Sequence, residues 1–347
     1  MNMVASAAEN RLLVWLGPPF FSSLLPSLGW ELIARPHEPD YVRSWPQVLD
    51  LTGGRTPAAV LVADASLPPQ LTGMEFFPCL TLFYTVDSHI HSWHPFYALG
   101  FDVCLVSLRD HLPLFARGRQ RPDLVWWFPP FAPDRHRPPP PETRPDKEWP
   151  LLFVGTVDPG LNPARVAFLD KVKEAFPELR VTRGDYASLY PRASLVLNEC
   201  SRGDLNFRVF EALGCGACLL TPAVGHGQAG LFADRRDLFL YPPGDAAAAA
   251  ALAGALLRED SLRESVARSG LAAVDARHRS RHRAEDLSAK IFALLRDEGE
   301  TLINSRLQNA TLLHAGFLRP LYLHHAESSP SPGLRRAYLN AARTIPR

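Results

Sequence analysis

Two basic residues, an amide and a carboxylate follow a short apolar run at residues 195–197, which is typical of a buried strand. The polar turn 201–204 leads into a short amphipathic helix that ends at Gly214 and Gly216. A further apolar run, 217–220, predicts the next strand. In open α/β folds, anionic ligands bind at helix N-termini on the carboxyl edge of the sheet. The sequence therefore predicts an anion site formed by Arg202, Asn206, Arg208 and Glu211.

A second group of polar residues follows the apolar run 80–85, which also predicts a buried strand. The group contains one acid and three histidines: Asp87, His89, His91 and His94. Asp-x-His-x-His after a strand is also how metal-dependent amidohydrolases begin their barrel. One hypothesis is therefore a metal-dependent hydrolase that uses Asp87, His89 and His91. Such a site needs further ligands at later strand ends, whereas the later histidines, His226 excepted, fall in a loop, a proline-rich segment or basic helical stretches.

Composition and charge exclude several classes of protein. The chain has 347 residues, 46% apolar and 21% charged, which is typical of a globular protein with two domains. Its 37 basic and 36 acidic residues give a formal net charge of +1, without the basic excess of a nucleic-acid-binding protein.

Residues 1–16 lack the features of a signal peptide, and no later stretch is long and apolar enough to span a membrane. The five cysteines form no framework of the secreted type, so we expect a cytoplasmic protein.

The apolar runs alternate with mixed or amphipathic segments, which predicts parallel sheets covered by helices. Before residue 130 the predicted strands are Leu12 to Leu16, Ala59 to Ala63, Leu80 to Thr85 and Val103 to Val106. After residue 150 they are Leu151 to Val154, Arg180 to Arg183, Leu195 to Leu197, Ala217 to Thr221 and Leu238 to Tyr241. Between the two series, residues 129–150 contain nine prolines and cannot form a helix or a central strand.

The segment from Phe207 to Ala217, FRVFEALGCGA, resembles the nucleotide-binding core of the GT-B glycosyltransferases. It is similar in particular to the bacterial group that includes the CgeB/YkvP-like spore and cell-surface transferases. This resemblance implies that Glu211 bonds the ribose hydroxyls of a nucleotide-sugar donor, and that Arg208 or Arg202 meets its diphosphate. Many retaining members have an acid where this chain has Gly203, which leaves the sugar contacts and the stereochemical outcome open.

The resemblance extends to the fold and to a second donor segment. Gly155 and Arg165 resemble the family segment that faces the donor phosphates. The implied fold is α/β of the GT-B type, with two Rossmann-like domains facing across a cleft and a helical C-terminal tail. The predicted divisions are an acceptor domain at 1–131, a stiff proline-rich linker at 132–149, a nucleotide-sugar domain at 150–297 and the tail at 298–347, which could mediate self-association.

In GT-B enzymes the amino-terminal half contacts the acceptor and, in inverting members, supplies a general base for the acceptor hydroxyl. The resemblance implies Asp87 or His89 as that base, and His91 and His94 as acceptor contacts. The helix dipole and basic side chains can stabilise the departing diphosphate, so we expect no metal and no cofactor beyond the donor.

The sequence thus predicts sugar transfer from a nucleotide-sugar to a glycan, lipid or protein. A catalytically inactive GT-B binding protein is the other alternative, favoured by Gly203.

Overall fold

A computed structural model describes residues 10–200 and 202–343. The chain forms two compact units, and each is described by itself. Unit 1 contains residues 10–129 and 284–343, and unit 2 contains residues 130–283. This division differs from the predicted one at both ends of the second domain, because the proline-rich segment packs within unit 2 and the C-terminal helices pack within unit 1.

Unit 1 is built on a parallel sheet with the strand order β2-β1-β3-β4-β5-β6. Its strands are β1 (Leu12–Leu16), β2 (Glu31–Arg35), β3 (Ala59–Ala63), β4 (Leu80–Thr85), β5 (Val103–Val106) and β6 (Val125–Trp127). The strands β1, β3, β4 and β5 coincide with the predicted apolar runs. The strands β2 and β6 were not predicted; they lie at the two edges of the sheet and are less buried than the central strands.

The helices of unit 1 come from both ends of the chain. They are α1 (Trp45–Leu51), α2 (His94–Ala98) and α3 (Leu112–Phe115), and later α11 (Gly299–Leu313), α12 (Arg319–Ser328) and α13 (Pro332–Arg343), with a π-helical turn at His314–Leu318. The predicted tail is therefore part of the unit 1 core. The fully buried guanidinium of Arg306 on α11 donates to the carboxylate of Asp102 (2.9 Å) and to the carbonyl oxygens of Met74, Phe77 and Cys79.

Unit 2 has a parallel sheet with the strand order β11-β10-β9-β7-β8. Its strands are β7 (Trp149–Val154), β8 (Leu179–Thr182), β9 (Ala193–Leu197), β10 (Leu219–Pro222) and β11 (Phe239–Tyr241). Its helices are α4 (Pro163–Ala175), α5 (Tyr186–Leu189), α6 (Phe207–Gly214), α7 (Gln228–Leu231), α8 (Ala246–Leu256) and α9 (Asp260–Arg277), and α10 (Ser280–Asp297) begins in this unit. The apolar runs predicted these strands to within a few residues.

The proline-rich segment is held in place by a buried arginine. The guanidinium of Arg279 donates to the carbonyl oxygens of Pro133, His136 and Gly214, at 3.3, 2.5 and 2.9 Å. A Cβ atom at Gly214 would lie 2.6 Å from the Cβ of Ala132, so glycine is needed there for close packing. Arg279 thereby joins the proline-rich segment to the end of α6 and satisfies the carbonyl oxygen of His136.

Candidate functional site

The candidate donor site lies at the carboxyl edge of the unit 2 sheet, beside the point where the strand order reverses. The chain passes from β7 to β8 on one side, and then to β9 on the other side of β7. Such a switch point between neighbouring parallel strands leaves a crevice outside their carboxyl ends, where ligands bind in open α/β sheets. Gly155 follows β7, and Asn198 and Glu199 follow β9.

Glu211 projects from α6 into a buried and electrostatically unusual environment. Its side chain is only 13% exposed. Burial raises the pKa of Glu211 to about 7, although the nearby charges of Arg208 and Arg135 act in the opposite direction. The imidazole Nδ1 of His136 lies 3.9 Å from a carboxylate oxygen of Glu211. The structure therefore holds a carboxylate in a partly dry site, where hydrogen bonds from a ligand would be strong.

Arg208, one helical turn before Glu211, carries a polar atom whose hydrogen bonding is unsatisfied. Its Nη1 is buried and has no hydrogen-bond partner among the described residues. The guanidinium lies over the ring of Phe153, 5.6 Å from the centroid. A Cβ atom at Gly155 would lie 3.3 Å from Nη1, so this glycine leaves room for the guanidinium. A buried guanidinium N–H without an acceptor is costly, and a phosphate oxygen would satisfy it.

Arg165 on α4 lies beside the same ring and is fixed by a buried acid. Its Nε donates to the carboxylate of Glu199 at 2.8 Å, and its Nη1 donates to the carbonyl of Thr156 at 3.2 Å. The guanidinium lies 5.9 Å from the centroid of the Phe153 ring. The guanidinium groups of Arg165 and Arg208 therefore both lie beside the ring of Phe153 at the end of β7.

Asn206 belongs to an amide network rather than to an exposed anion site. Its Nδ2 lies 3.4 Å from Oδ1 of Asn198 and 3.2 Å from Sγ of Cys200, and Asn198 in turn donates to the hydroxyl of Thr221 at 3.0 Å. The side chain of Asn206 does not cap α6. This network ties the segment after β9 to the end of β10, so Asn206 holds the loop that precedes Arg208.

Arg202 and Gly203 lie in the loop that precedes α6. The side chain of Arg202 is exposed. Gly203 has a φ of +73°, in the left-handed region that favours glycine. Backbone conformation therefore gives a reason for glycine, rather than an acid, at this position.

Aromatic rings and a histidine complete the surroundings of Glu211. The rings of Tyr186 and Tyr190 are stacked, with centroids 5.2 Å apart. The ring of His136 meets Tyr186 edge-on at 6.1 Å. Burial and the charge of Arg135 lower the pKa of His136, so its imidazole is neutral at pH 7, and its buried Nδ1 has no hydrogen-bond partner among the described residues.

A separate polar cluster lies at the carboxyl edge of the unit 1 sheet. Asp87 follows β4, and the buried Asp64 follows the neighbouring strand β3. Burial raises the pKa of Asp87, and the charge of Asp64 raises it further, while a hydrogen bond from Ser66 and the charges of His89 and His91 lower it. A carboxyl group with these neighbours is suited to taking up a proton.

The histidines predicted beside Asp87 occupy different environments. His89 and His91 are both partly exposed. The Nε2 atom of His91 lies 2.9 Å from the hydroxyl of Ser66. The prediction that His94 contacts an acceptor is wrong, because this side chain is fully buried and its Nδ1 pairs with the hydroxyl of Thr85 at 2.8 Å. Burial lowers the pKa of His94 to about 2, so it is a neutral core residue.

Within residues 10–200 and 202–343, no group of three or more His, Cys, Asp or Glu side chains is placed to hold a metal ion. The Asp87, His89 and His91 cluster of the hydrolase hypothesis therefore does not form such a group. No helix in the same part of the chain is long and apolar enough to cross a membrane.

Four residues of these two sites were not predicted from the sequence. Glu199 and Asp64 each follow a predicted strand closely, the same signal that identified Asp87, and could have been found by it. Arg135 and His136 gave no such signal, because they lie in the segment that was interpreted as a linker.

Comparison with known families identifies the domain that contains the donor site. The sequence profile of a family described as glycosyl transferase-like matches residues 164–289, which is less than half of the chain. The chain carries a glycosyl transferase-like domain. No curated protein matches the chain in sequence.

Solved structures identify the fold over most of the chain. A glycosyltransferase from Rickettsia africae ESF-5 matches with a TM-score of 0.62 and 9% identity, over 84% of this chain and 100% of that chain. HepE (Alr3699) from Anabaena, in complex with UDP, matches with a TM-score of 0.57 and 11% identity, over 82% and 100%. Sucrose-phosphate synthase from Thermosynechococcus elongatus matches with a TM-score of 0.56 and 12% identity, over 82% and 99%. The chain has the GT-B fold. The predicted fold class is confirmed. The prediction of a glycosyltransferase is confirmed for the domain at residues 164–289.

Proposed function

We propose that the protein transfers a sugar from a nucleotide-sugar to an acceptor hydroxyl, with the donor bound in unit 2. The observation that carries this proposal is the buried Nη1 of Arg208, which has no acceptor among the described residues and lies one helical turn from the buried carboxylate of Glu211. A diphosphate would accept from Arg208, and the ribose hydroxyls would donate to Glu211. Both residues lie within the segment that matches the glycosyl transferase-like family.

The remaining residues of the donor site have supporting parts in this proposal. Arg165, held by Glu199, adds a second positive charge for the phosphates. The stacked pair Tyr186 and Tyr190 offers an aromatic surface for the base. Arg202 is exposed on the loop before α6 and could meet the outer phosphate. These cations and the N-terminus of α6 would stabilise the departing diphosphate without a metal ion.

We further propose that unit 1 supplies the acceptor base, Asp87 or His89, and that His91 contacts the acceptor. The phrase FRVFEALGCGA supports membership of the CgeB/YkvP-like bacterial group, and with it a cytoplasmic enzyme that modifies a cell-surface glycan. The solved structure of HepE contains UDP, so UDP-linked sugars are the first donors to test.

The test is thermal shift in EDTA with UDP, GDP, ADP, TDP and CMP compounds, on the wild type, Arg208→Met and Glu211→Gln. Loss of a charge-assisted hydrogen bond costs about 1.5–3 kcal/mol, so we expect at least about tenfold weaker binding in each variant. The control is Arg180→Met, which removes an exposed arginine on β8 and should bind normally. Equal responses in all variants, or none to any nucleotide, would refute the donor site. Binding without turnover against a broad acceptor panel would instead indicate an inactive binding protein.

A further inference from the structure

Asp64 holds together two loops at the carboxyl edge of the unit 1 sheet. Its Oδ2 accepts the backbone N–H groups of Val86 and Asp87, at 3.1 and 2.8 Å, and its Oδ1 accepts the N–H of Ser66 at 2.7 Å. Asp64 is only 4% exposed. One buried carboxylate therefore fixes the loop after β3 and the loop after β4 in a single arrangement.

Ser66 is strained in this arrangement. Its φ is +56°, in the left-handed region that residues other than glycine rarely adopt. Such strain persists only where the surrounding contacts hold it, and it is concentrated at functional sites. Here the bond to Asp64 holds the backbone, and the hydroxyl lies 2.9 Å from Nε2 of His91. In this strained conformation Ser66 contacts Asp64 through its backbone N–H and His91 through its hydroxyl.

The charged and titratable groups around Asp87 come from both loops. Asp64 faces it from the loop after β3, and His89 and His91 face it from its own loop. His94, at the start of α2, lies 3.8 Å from Oδ1 of Asp64, but burial lowers its pKa to about 2. A neutral His94 does not offset the negative charge of Asp64, so that charge acts on Asp87.

We propose that Asp64 is a positioning residue for Asp87, and that Asp87 takes the proton of the acceptor hydroxyl. This inference rests on the proposed function. In the reaction, the acceptor hydroxyl gives its proton to the Asp87 carboxylate, and its oxygen bonds to the anomeric carbon of the donor. The bond from that carbon to the diphosphate breaks, and its electron pair leaves with the diphosphate. This direct displacement inverts the anomeric configuration.

The geometry favours Asp87 because Asp64 binds its backbone N–H directly, and Ser66, which Asp64 also holds, hydrogen-bonds its carboxylate. The backbone at Asp87 is fixed at the strand end, near enough for the charge of Asp64 to act on the Asp87 carboxyl. The raised pKa of Asp87 makes it a stronger base than an ordinary aspartate.

The experiment is a carbon-13 NMR titration of protein labelled in its aspartate carboxyl groups, with the Asp87 signal assigned by Asp87→Asn. It needs neither donor nor acceptor, so its result is separate from that of the nucleotide-binding test. We expect Asp87 to titrate above the ordinary value of 3.8, with a pKa that falls towards 3.8 in Asp64→Asn and rises further in Ser66→Ala. A structural role alone would not produce these opposite shifts.

The control is Asp50→Asn, which removes an exposed carboxylate on α1 and should leave the Asp87 titration unchanged. A normal titration of Asp87 in the wild type, or no change in Asp64→Asn, would overturn the proposal. If circular dichroism shows that Asp64→Asn does not fold, Ser66→Ala decides, and the absence of an upward shift in that variant overturns it.

Discussion

Replacement of Glu211 by glutamine should stabilise the unliganded protein while it weakens nucleotide binding. Burial raises the pKa of this carboxyl from 4.5 to about 7. Between these two values the unfolded chain has an ionised carboxylate and the folded chain a protonated one. The free energy of unfolding therefore falls as pH rises through this window, and the whole cost is present above pH 7.

The difference between 4.5 and about 7 corresponds to about 3 kcal/mol, at about 1.4 kcal/mol for each pKa unit. We expect Glu211→Gln to recover up to about 3 kcal/mol at pH 8, because a neutral amide does not pay the cost of a buried charge. For a unit of this size, about 2–4 °C of melting temperature corresponds to each kcal/mol. The gain should vanish at pH 4.5, where the wild-type carboxyl is protonated as well.

The assay is urea denaturation of both proteins at pH 4.5, 6 and 8 without nucleotide, followed by the same series with the nucleotide that the thermal-shift panel selects. The matched control is Glu174→Gln on α4, whose carboxylate is exposed, and its stability should follow that of the wild type at every pH. A Glu211→Gln protein that is less stable than the wild type at pH 8 would refute the reasoning, since it would mean that the ionised carboxylate is stabilised in the folded protein.

Two further predictions concern the core of unit 1. Arg306→Met leaves Asp102 buried without its main ionic partner, and should lower the free energy of unfolding in urea by about 3–5 kcal/mol. Arg296→Met removes an exposed ion pair and should lower it by less than about 1 kcal/mol. Equal effects of the two variants would contradict this prediction. The hydrogen bond to Glu75 raises the pKa of His314 above 6.5, so its contribution to stability is present below pH 6.5 and is lost as pH rises through the raised value. His314→Gln should remove this loss between pH 6 and 9, and an unchanged pH dependence of unfolding would show that another group causes it.

Much of the fold was predictable because its signals are local. Buried parallel strands are continuous apolar runs, and β1, β3 and β4 are completely buried. Asp245, a residue type that commonly caps helices, accepts the N–H of Ala248 at the start of α8 at 2.8 Å. The edge strand β2 is partly exposed along its length, so its hydrophobicity is too weak to predict it.

Arg208 and Glu211 were predicted from the phrase at residues 207–217, and Asp87 from its place after a predicted strand. The structure places the guanidinium groups of Arg208 and Arg165 beside one ring at the end of β7. His94 belongs to the same group of histidines in the sequence, yet it is buried because it begins a helix that packs on Phe83. Spacing along the chain cannot distinguish the histidine that points into the core from those that remain accessible.

The sequence by itself determined the alternation of strands and helices and the α/β class. It also determined that Arg208 and Glu211 lie one turn apart on a short helix. These features depend on residues that are neighbours in the chain. The tertiary structure alone decided that the proline-rich segment brings His136 to Glu211, that Arg306 joins the C-terminal helices to unit 1, and that Asp64 holds Asp87. Burial and charge depend on partners that are distant in sequence. They set the pKa values of Glu211 and Asp87, and with them the chemistry that each carboxyl can perform.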